Sequence, residues 1–268
     1  MYKLVAVDMD GTLLREDKTV SDRTKAAIQM AHEQGVKVVL ASGRPIEGLN
    51  RYLEELGLCT EEDYVLSYNG SVVQNVGTKE VIAKSVLKGT DLMYLYDIAQ
   101  KLNINIHAFS KDGCITPKMS EYSQLEGRIN GIAVHEIDYS EIPLDEDIVK
   151  VMLVDPAEVL EEAIKQLPEE VYEKYTVVRS APYFLEFLNK NSGKAIGVKA
   201  LGEHLGIQRE EIICIGDAGN DLDMIEYAGL GVAMGNAFEE VKAAADYITG
   251  SNEEDGVAQV IEKFVAMK

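Results

Sequence analysis

The sequence predicts an α/β protein, a doubly wound parallel sheet with an α+β domain inserted into it. Three observations carry that prediction. Near both ends of the chain, short apolar runs alternate with amphipathic stretches, the signature of βαβ units. Between about Lys79 and Phe187 the rhythm changes to strand-like segments, several of alternating polarity, which suits a half-exposed antiparallel sheet. Two apolar runs end in carboxylates beside a glycine, at Asp8-Met9-Asp10-Gly11 and at Gly216-Asp217, and ligands of open parallel sheets bind at such strand ends.

The elements follow in order. Leu4–Val7 is an apolar strand. A helix is predicted over Val20–Gln34, with Ser21 as N-cap, Ala27, Ile28 and Ala31 on one face, and Gly35 as its stop. Val36–Ala41 is a second buried strand, Pro45–Leu56 a helix with proline in its first turn, and Tyr64–Ser67 a third strand. The insert has predicted strands at Ile104–Phe109, Ile132–Ile137, Asp147–Val154, Thr176–Arg179 and Tyr183–Phe187, and helices at Thr90–Lys101 and Pro156–Gln166. The first rhythm then returns with a helix at Lys194–Leu205, a strand at Glu211–Ile215 and a helix at Asp221–Ala228. A strand at Leu230–Ala233, a helix at Glu239–Ala245, a strand at Tyr247–Thr249 and a helix at Gly256–Met267 complete it. The expected division is a core of residues 1–82 plus 188–268 and an insert of residues 83–187.

Composition narrows the function. The chain has 268 residues, 46% apolar and 27% charged, enough for a large core and a second module. With 26 basic and 46 acidic side chains its net charge is −20, which argues against a nucleic-acid partner. A local lysine and a bound metal can still reverse the sign inside one cleft, so a small anionic substrate stays open. Cys59, Cys114 and Cys214 form no C-x-x-C pair and read as reduced thiols of a cytoplasmic protein. No stretch approaches the roughly 20 apolar residues of a membrane span, so no membrane partner is expected.

Four segments at strand ends or helix starts can carry chemistry. Asp8-Met9-Asp10-Gly11-Thr12 departs from a calcium loop, because Thr12 takes the third ligand place and a strand precedes it. Ala41-Ser42-Gly43-Arg44-Pro45 offers a hydroxyl and backbone N–H groups at a helix start; alone, it is equally an ordinary cap. Lys194 opens a helix in Asn191-Ser192-Gly193-Lys194-Ala195. A Walker loop fails there, since Leu188 replaces its first glycine and Ala195 its Ser/Thr. A solvated lysine is the plainer alternative. The fourth is Gly216-Asp217-Ala218-Gly219-Asn220-Asp221, two acids and an amide after a buried strand.

Taken together and in this order, the four segments resemble the haloacid dehalogenase-like (HAD) hydrolase superfamily. The chain's length, its insertion after the third strand and Tyr68-Asn69-Gly70 are similar to the Cof-type branch, which includes sugar phosphatases; Ser42 stands where Thr is more frequent there. The resemblance implies a Mg²⁺-dependent phosphatase acting on small phosphorylated metabolites. Asp8 would be the nucleophile that forms an aspartyl-phosphate, and Asp10 the acid and base. Metal ligands would be the Asp8 carboxylate, the Asp10 carbonyl and Asp217, with Asp221 supporting the metal shell or Lys194 from outside. Lys194, Ser42, Asn220 and backbone N–H groups near Met9 and Gly43 would hold the phosphoryl oxygens. The insert would close over the cleft and contact the leaving group. Arg44 and Asn69 are candidate substrate contacts from the core. Lys118, Tyr122 and Arg128 are polar candidates in the insert, where solvated surface is the plainer account. A phosphohexomutase and a non-enzymatic phospho-acceptor resembling a receiver domain are the competing classes. The second needs neither the insert nor the Asp217–Asp221 segment.

Overall fold

In the computed structural model, residues 1–266 are described. Of these, residues 1–84 and 193–266 belong to one compact unit and residues 85–192 to another. The family expectation and the sheet topology agree: the larger unit is a parallel-sheet core built from both ends of the chain.

Eight strands form its sheet, in the order Tyr247–Ile248, Leu230–Ala233, Ile212–Gly216, Leu4–Val7, Lys37–Ala41, Tyr64–Ser67, Val72–Asn75, Val81–Lys84. The first six are parallel and the last two antiparallel. Leu4–Val7 sits at the centre, with later strands added to either side, so its carboxyl end is a topological switch point. Val5, Val7, Val38, Leu40, Ile213 and Ile215 face helices Asp22–Glu33, Asn50–Leu56 and Gly256–Phe264. Leu4, Ala6, Val39, Ala41, Ile212 and Cys214 face Lys194–Leu205 and Leu222–Tyr227. Both faces are covered, which is why these strands read as unbroken apolar runs.

Ser21 caps the first helix as expected, its side chain accepting from the Thr24 N–H at 3.1 Å. The predicted Pro45–Leu56 helix is shorter. Pro45 is extended, a single turn spans Ile46–Gly48, and the α-helix starts only at Asn50. Gly48 sits where a continuous helix would need a better helix former. The last predicted helix reaches Met267, which lies outside the described residues; the observed helix is Gly256–Phe264. Among the described residues no helix is long and apolar enough to cross a membrane.

The insert is a six-stranded sheet in the order Tyr175–Ala181, Phe184–Asn189, Lys150–Val154, Asn105–Ser110, Gly113–Thr116, Val134–Glu136, antiparallel except for the last pair. Helices Gly89–Leu102, Ala157–Ile164 and Glu169–Lys174 bury Ile106, Ala108, Val151, Leu153 and Phe187 on one face. Lys150 is buried with Glu126 of helix Glu121–Asn130 and with Glu186, at 3.7 and 3.3 Å. Its ammonium also lies 4.9 Å from the Phe109 ring centroid. Beside them His107 is fully buried, 3.3 Å from the Ser123 hydroxyl and 3.2 Å from the Met152 sulfur. The Gly113–Thr116 strand and the Glu121–Asn130 helix were not expected from the sequence. Both are short, and the helix covers a polar patch, so no apolar periodicity announces it.

Candidate active site

The site grows from the carboxyl ends of two adjacent parallel strands. Leu4–Val7 delivers Asp8, whose N–H donates to the Ile215 carbonyl at 3.0 Å and so locks it to the neighbouring strand. That strand, Ile212–Gly216, delivers Asp217. Asp8 is buried, and Lys194, with no exposed surface, donates to its Oδ1. The same ammonium donates to Asp221 Oδ1 at 2.6 Å. Asp221 Oδ2 accepts from the N–H groups of Asp217 and Ala218 at 3.0 and 3.1 Å, so both its oxygens are occupied. Asp217 Oδ1 accepts from the Thr12 hydroxyl at 2.7 Å.

A carboxylate oxygen from each of Asp8, Asp217 and Asp221 lies within 4.8 Å of the others. Three acids share one lysine, and the electrostatics register the excess. Burial, then the charge of Asp221, pushes the Asp8 carboxyl well above its ordinary range against the pull of Lys194. Burial likewise drives Asp217 up to about 6, with Asp221 adding to it. Lys194 is raised: burial opposes its charge, but the Asp221 and Asp8 carboxylates outweigh burial. Room for Asp217 depends on Gly11, which adopts φ 88°; a Cβ there would stand 2.4 Å from Asp217 Oδ2. An acid-rich cluster short of positive charge, with a side chain at position 11 sterically forbidden, fits a divalent cation. The charge deficit lies on Asp8 and Asp217, since Asp221 is already fully bonded.

The other sequence candidates gather at the same sheet edge. The buried Ser42 hydroxyl accepts from the Arg44 N–H at 3.2 Å, and the Ser42 carbonyl accepts from the Asn69 N–H at 2.8 Å. Asn69 lies in a left-handed turn, with Tyr68, Asn69 and Gly70 at φ 52°, 55° and 81°. Only glycine fits at position 70, because a Cβ would lie 2.4 Å from the Gly193 carbonyl oxygen, one residue before Lys194. Strain at Tyr68 and Asn69 thus sits where the turn meets the start of the lysine helix. Asn220 Nδ2 donates to Asn69 Oδ1 at 3.2 Å, joining the fourth segment to the Tyr68-Asn69-Gly70 turn and, through Asn69, to Ser42. The Met9 side chain is wholly buried, which leaves only its backbone to face a ligand. Gly43 is half-buried between Ser42 and Arg44.

Asp10 differs from Asp8. Its side chain is 43% exposed and held by two cations. Arg44 grips it with Nε on Oδ2 at 2.8 Å and Nη2 on Oδ1 at 2.7 Å, and Lys18 Nζ reaches Oδ1 at 2.8 Å. Burial alone would raise this carboxyl, but the Arg44 and Lys18 bonds outweigh it and hold it below its ordinary value. Arg44, expected toward substrate, is therefore engaged with Asp10.

Sequence reasoning missed four contributors. Thr12 fixes Asp217, and Lys18 reaches Asp10 from a polar loop. Asp223 accepts from the Ala195 N–H at 3.1 Å, in the first turn of the lysine helix. Asn236 donates to the Gly11 carbonyl at 2.8 Å. Only Asn236 carried a signal, since it follows the parallel strand Leu230–Ala233 and lies near its carboxyl end. In the insert, Lys118 and Arg128 are exposed and Tyr122 packs on Tyr183, ring centroids 5.5 Å apart.

The Bacillus subtilis protein YxeH, described as a candidate phosphatase, is 46% identical over 270 residues that cover all of both chains. YitU of the same organism, a 5-amino-6-(5-phospho-D-ribitylamino)uracil phosphatase, is 32% identical over 98% of both. Among solved structures, the HAD subclass IIB sugar phosphatase BT4131 superposes with a TM-score of 0.81 at 25% identity, over 98% of each chain. The model of the haloacid dehalogenase-like hydrolase family matches residues 5–261. The chain belongs to the haloacid dehalogenase-like hydrolases.

Proposed function

We propose that this hydrolase is a Mg²⁺-dependent phosphatase that cleaves small phosphomonoesters, sugar phosphates first among them, through an aspartyl-phosphate on Asp8. One observation carries the reading: the fully buried Lys194 ammonium bridges Asp8 and Asp221 where two adjacent parallel strands end. It orients a carboxylate for attack and places a fixed positive charge beside the transferring oxygens.

Asp8 attacks phosphorus as the ester P–O bond breaks, and Asp10 gives the leaving oxygen its proton. Asp10 then takes a proton from the water that displaces Asp8 and frees phosphate. Ser42, Asn220 and Lys194, with backbone N–H groups of Met9 and Gly43, hold the phosphoryl oxygens in this reading. The Asp8 carboxylate, the Asp10 carbonyl and Asp217 would hold Mg²⁺, which neutralises charge between two anions and polarises the phosphoryl group. Asp221 positions Lys194 and the Asp217 backbone. The substrate class is supported by the relatives, of which one is a sugar phosphatase and another is named for a phosphate on a ribityl chain. Residues 85–192 are assigned the choice of leaving group.

Phosphate release from a panel of phosphorylated metabolites, with Mg²⁺ and with EDTA, tests the proposal. Sugar and polyol phosphates should lead, and only with Mg²⁺. Asp8→Asn should abolish release; near-normal turnover in that variant would falsify the covalent route. Flat activity across sugars with one sharp nucleotide hit would remove the sugar assignment. An isomeric sugar phosphate accumulating in place of phosphate would make the chain a mutase.

A further inference from the structure

Asp10 carries the proton transfers in the reading above, yet both its oxygens are occupied. The two cations that occupy them are held differently. Arg44 spans both oxygens through its fork, while Lys18 bonds Oδ1 alone. Oδ1 thus accepts two of these bonds and Oδ2 one, so Oδ2 is the oxygen with a lone pair open for proton transfer.

The loop bearing Lys18 is built to stay. Lys18 adopts φ 64°, a left-handed conformation unfavourable for a lysine. Its carbonyl accepts from the buried Tyr52 hydroxyl at 3.2 Å and from Arg51 Nη2 at 3.4 Å. The turn is closed by Lys18 N–H to Arg15 carbonyl and Arg15 N–H to Thr19 carbonyl bonds, both 3.0 Å. Arg15 is tied to Asp255 at 2.8 Å, and Asp17 Oδ1 accepts from the Thr19 N–H and hydroxyl. Arg44 is anchored as well, its N–H on the Ser42 hydroxyl at 3.2 Å, its carbonyl accepting from the Tyr68 N–H at 3.0 Å and its guanidinium 5.7 Å from the Tyr52 ring centroid.

We propose that Lys18 is a positioning residue for Asp10. It anchors Oδ1 throughout turnover and, with Arg44, fixes the rotation of the carboxyl group, so that the open lone pair of Oδ2 is presented for proton transfer. The inference rests on the aspartyl-phosphate reading and adds a residue to it. It distinguishes Lys18 from a surface lysine that merely pairs with a nearby acid, a contact worth little in water.

The test uses leaving groups. p-Nitrophenolate leaves without a proton, so attack by Asp8 on p-nitrophenyl phosphate does not need Asp10, but hydrolysis of the resulting aspartyl-phosphate does. In rapid-quench kinetics Lys18→Met should release its first p-nitrophenolate within about twofold of the wild-type rate and then turn over about tenfold more slowly, leaving a burst. With glycerol 2-phosphate, whose alkoxide needs the proton, kcat should fall about tenfold with no burst and little change in KM. Lys18→Arg should restore most of the loss, because it returns a cation to Oδ1. Equal slowing of burst and steady state, or no slowing of either, overturns the assignment. Acid-quenched wild-type enzyme should hold phosphate covalently. If it does not, the failure belongs to the aspartyl-phosphate reading and not to Lys18.

Discussion

Each unit buries one lysine between two carboxylates, Lys194 with Asp8 and Asp221 in the core and Lys150 with Glu126 and Glu186 in the insert. Both ammonium groups are raised although burial works against them. What separates them is the surroundings. Lys150 and Glu186 lie on neighbouring antiparallel strands and Glu126 on the helix over them, beside Phe109, Met152 and a neutral His107. Lys194 stands at the carboxyl edge of a parallel sheet, where a third acid, Asp217, is added and Gly11 keeps space beside it. The insert has one carboxylate more than its lysine balances, and Glu126 registers it, its carboxyl raised by burial and then by Glu186 against the pull of Lys150. In the core two acids are in excess, and a group short of a partner is what a ligand can complete.

The largest expected effect breaks the insert's triad. Lys150→Met leaves two buried carboxylates without a cation and should cost about 3–5 kcal/mol in denaturant unfolding. Replacing all three groups together, Lys150→Met with Glu126→Leu and Glu186→Leu, should recover most of that loss. If Lys150→Met instead removed turnover while leaving stability intact, the insert's triad would be a functional group and the contrast would fail.

His107 supplies the next effect, through pH. Burial first, and then the Lys150 charge, pushes its imidazole down to about 3, whereas the unfolded chain titrates near its ordinary 6.5. Its contribution to stability is complete above pH 6.5 and is lost as pH falls toward 3, because the unfolded state takes up the proton first. Between pH 7 and 4.5 this amounts to roughly 2–3 kcal/mol. The ring stands edge-on to Phe109 and Phe184, each 6.1 Å away, so His107→Phe has an aromatic setting to enter. Its unfolding free energy should decline less steeply with acid than that of the wild type; parallel slopes would show that His107 is not what acid attacks.

The core site was legible in sequence and the insert's triad was not, for one physical reason. Parallel strands must be apolar throughout, so Asp8 and Asp217 interrupt a pattern and their position at a strand end is visible. Glu126 sits in a polar helix, while Lys150 and Glu186 are isolated polar residues in apolar strands of an antiparallel sheet, where one polar residue can face solvent, and only folding brings the three together. Lys18 was hidden in the same way, in a polar run of Arg15, Glu16, Asp17 and Lys18 in which no lone position stands out. The strands at Val72–Asn75 and Val81–Lys84 escaped because they are short and half-exposed at the sheet edge.

Asp217 sharpens the comparison from the other side. Where an acid is in excess, neutralising it should help the fold, the reverse of what removing Lys150 does. Burial raises Asp217 to about 6, so at pH 7.5 its ionised form works against the folded state. Asp217→Asn keeps an oxygen for the Thr12 hydroxyl and keeps the backbone bond from Asp217 N–H to Asp221. In EDTA it should therefore gain roughly 1–2 kcal/mol over the wild type, less than the full shift because the group is not fully buried. Mg²⁺ should raise the Tm of the wild type and leave the variant nearly unmoved, since binding to the folded state is what stabilises it. An Asp217→Asn protein less stable than wild type in EDTA would mean that this carboxylate is a structural acceptor for Thr12. The core cluster would then be structural like the one around Lys150, and the case for a cation between Asp8 and Asp217 would lose its electrostatic basis.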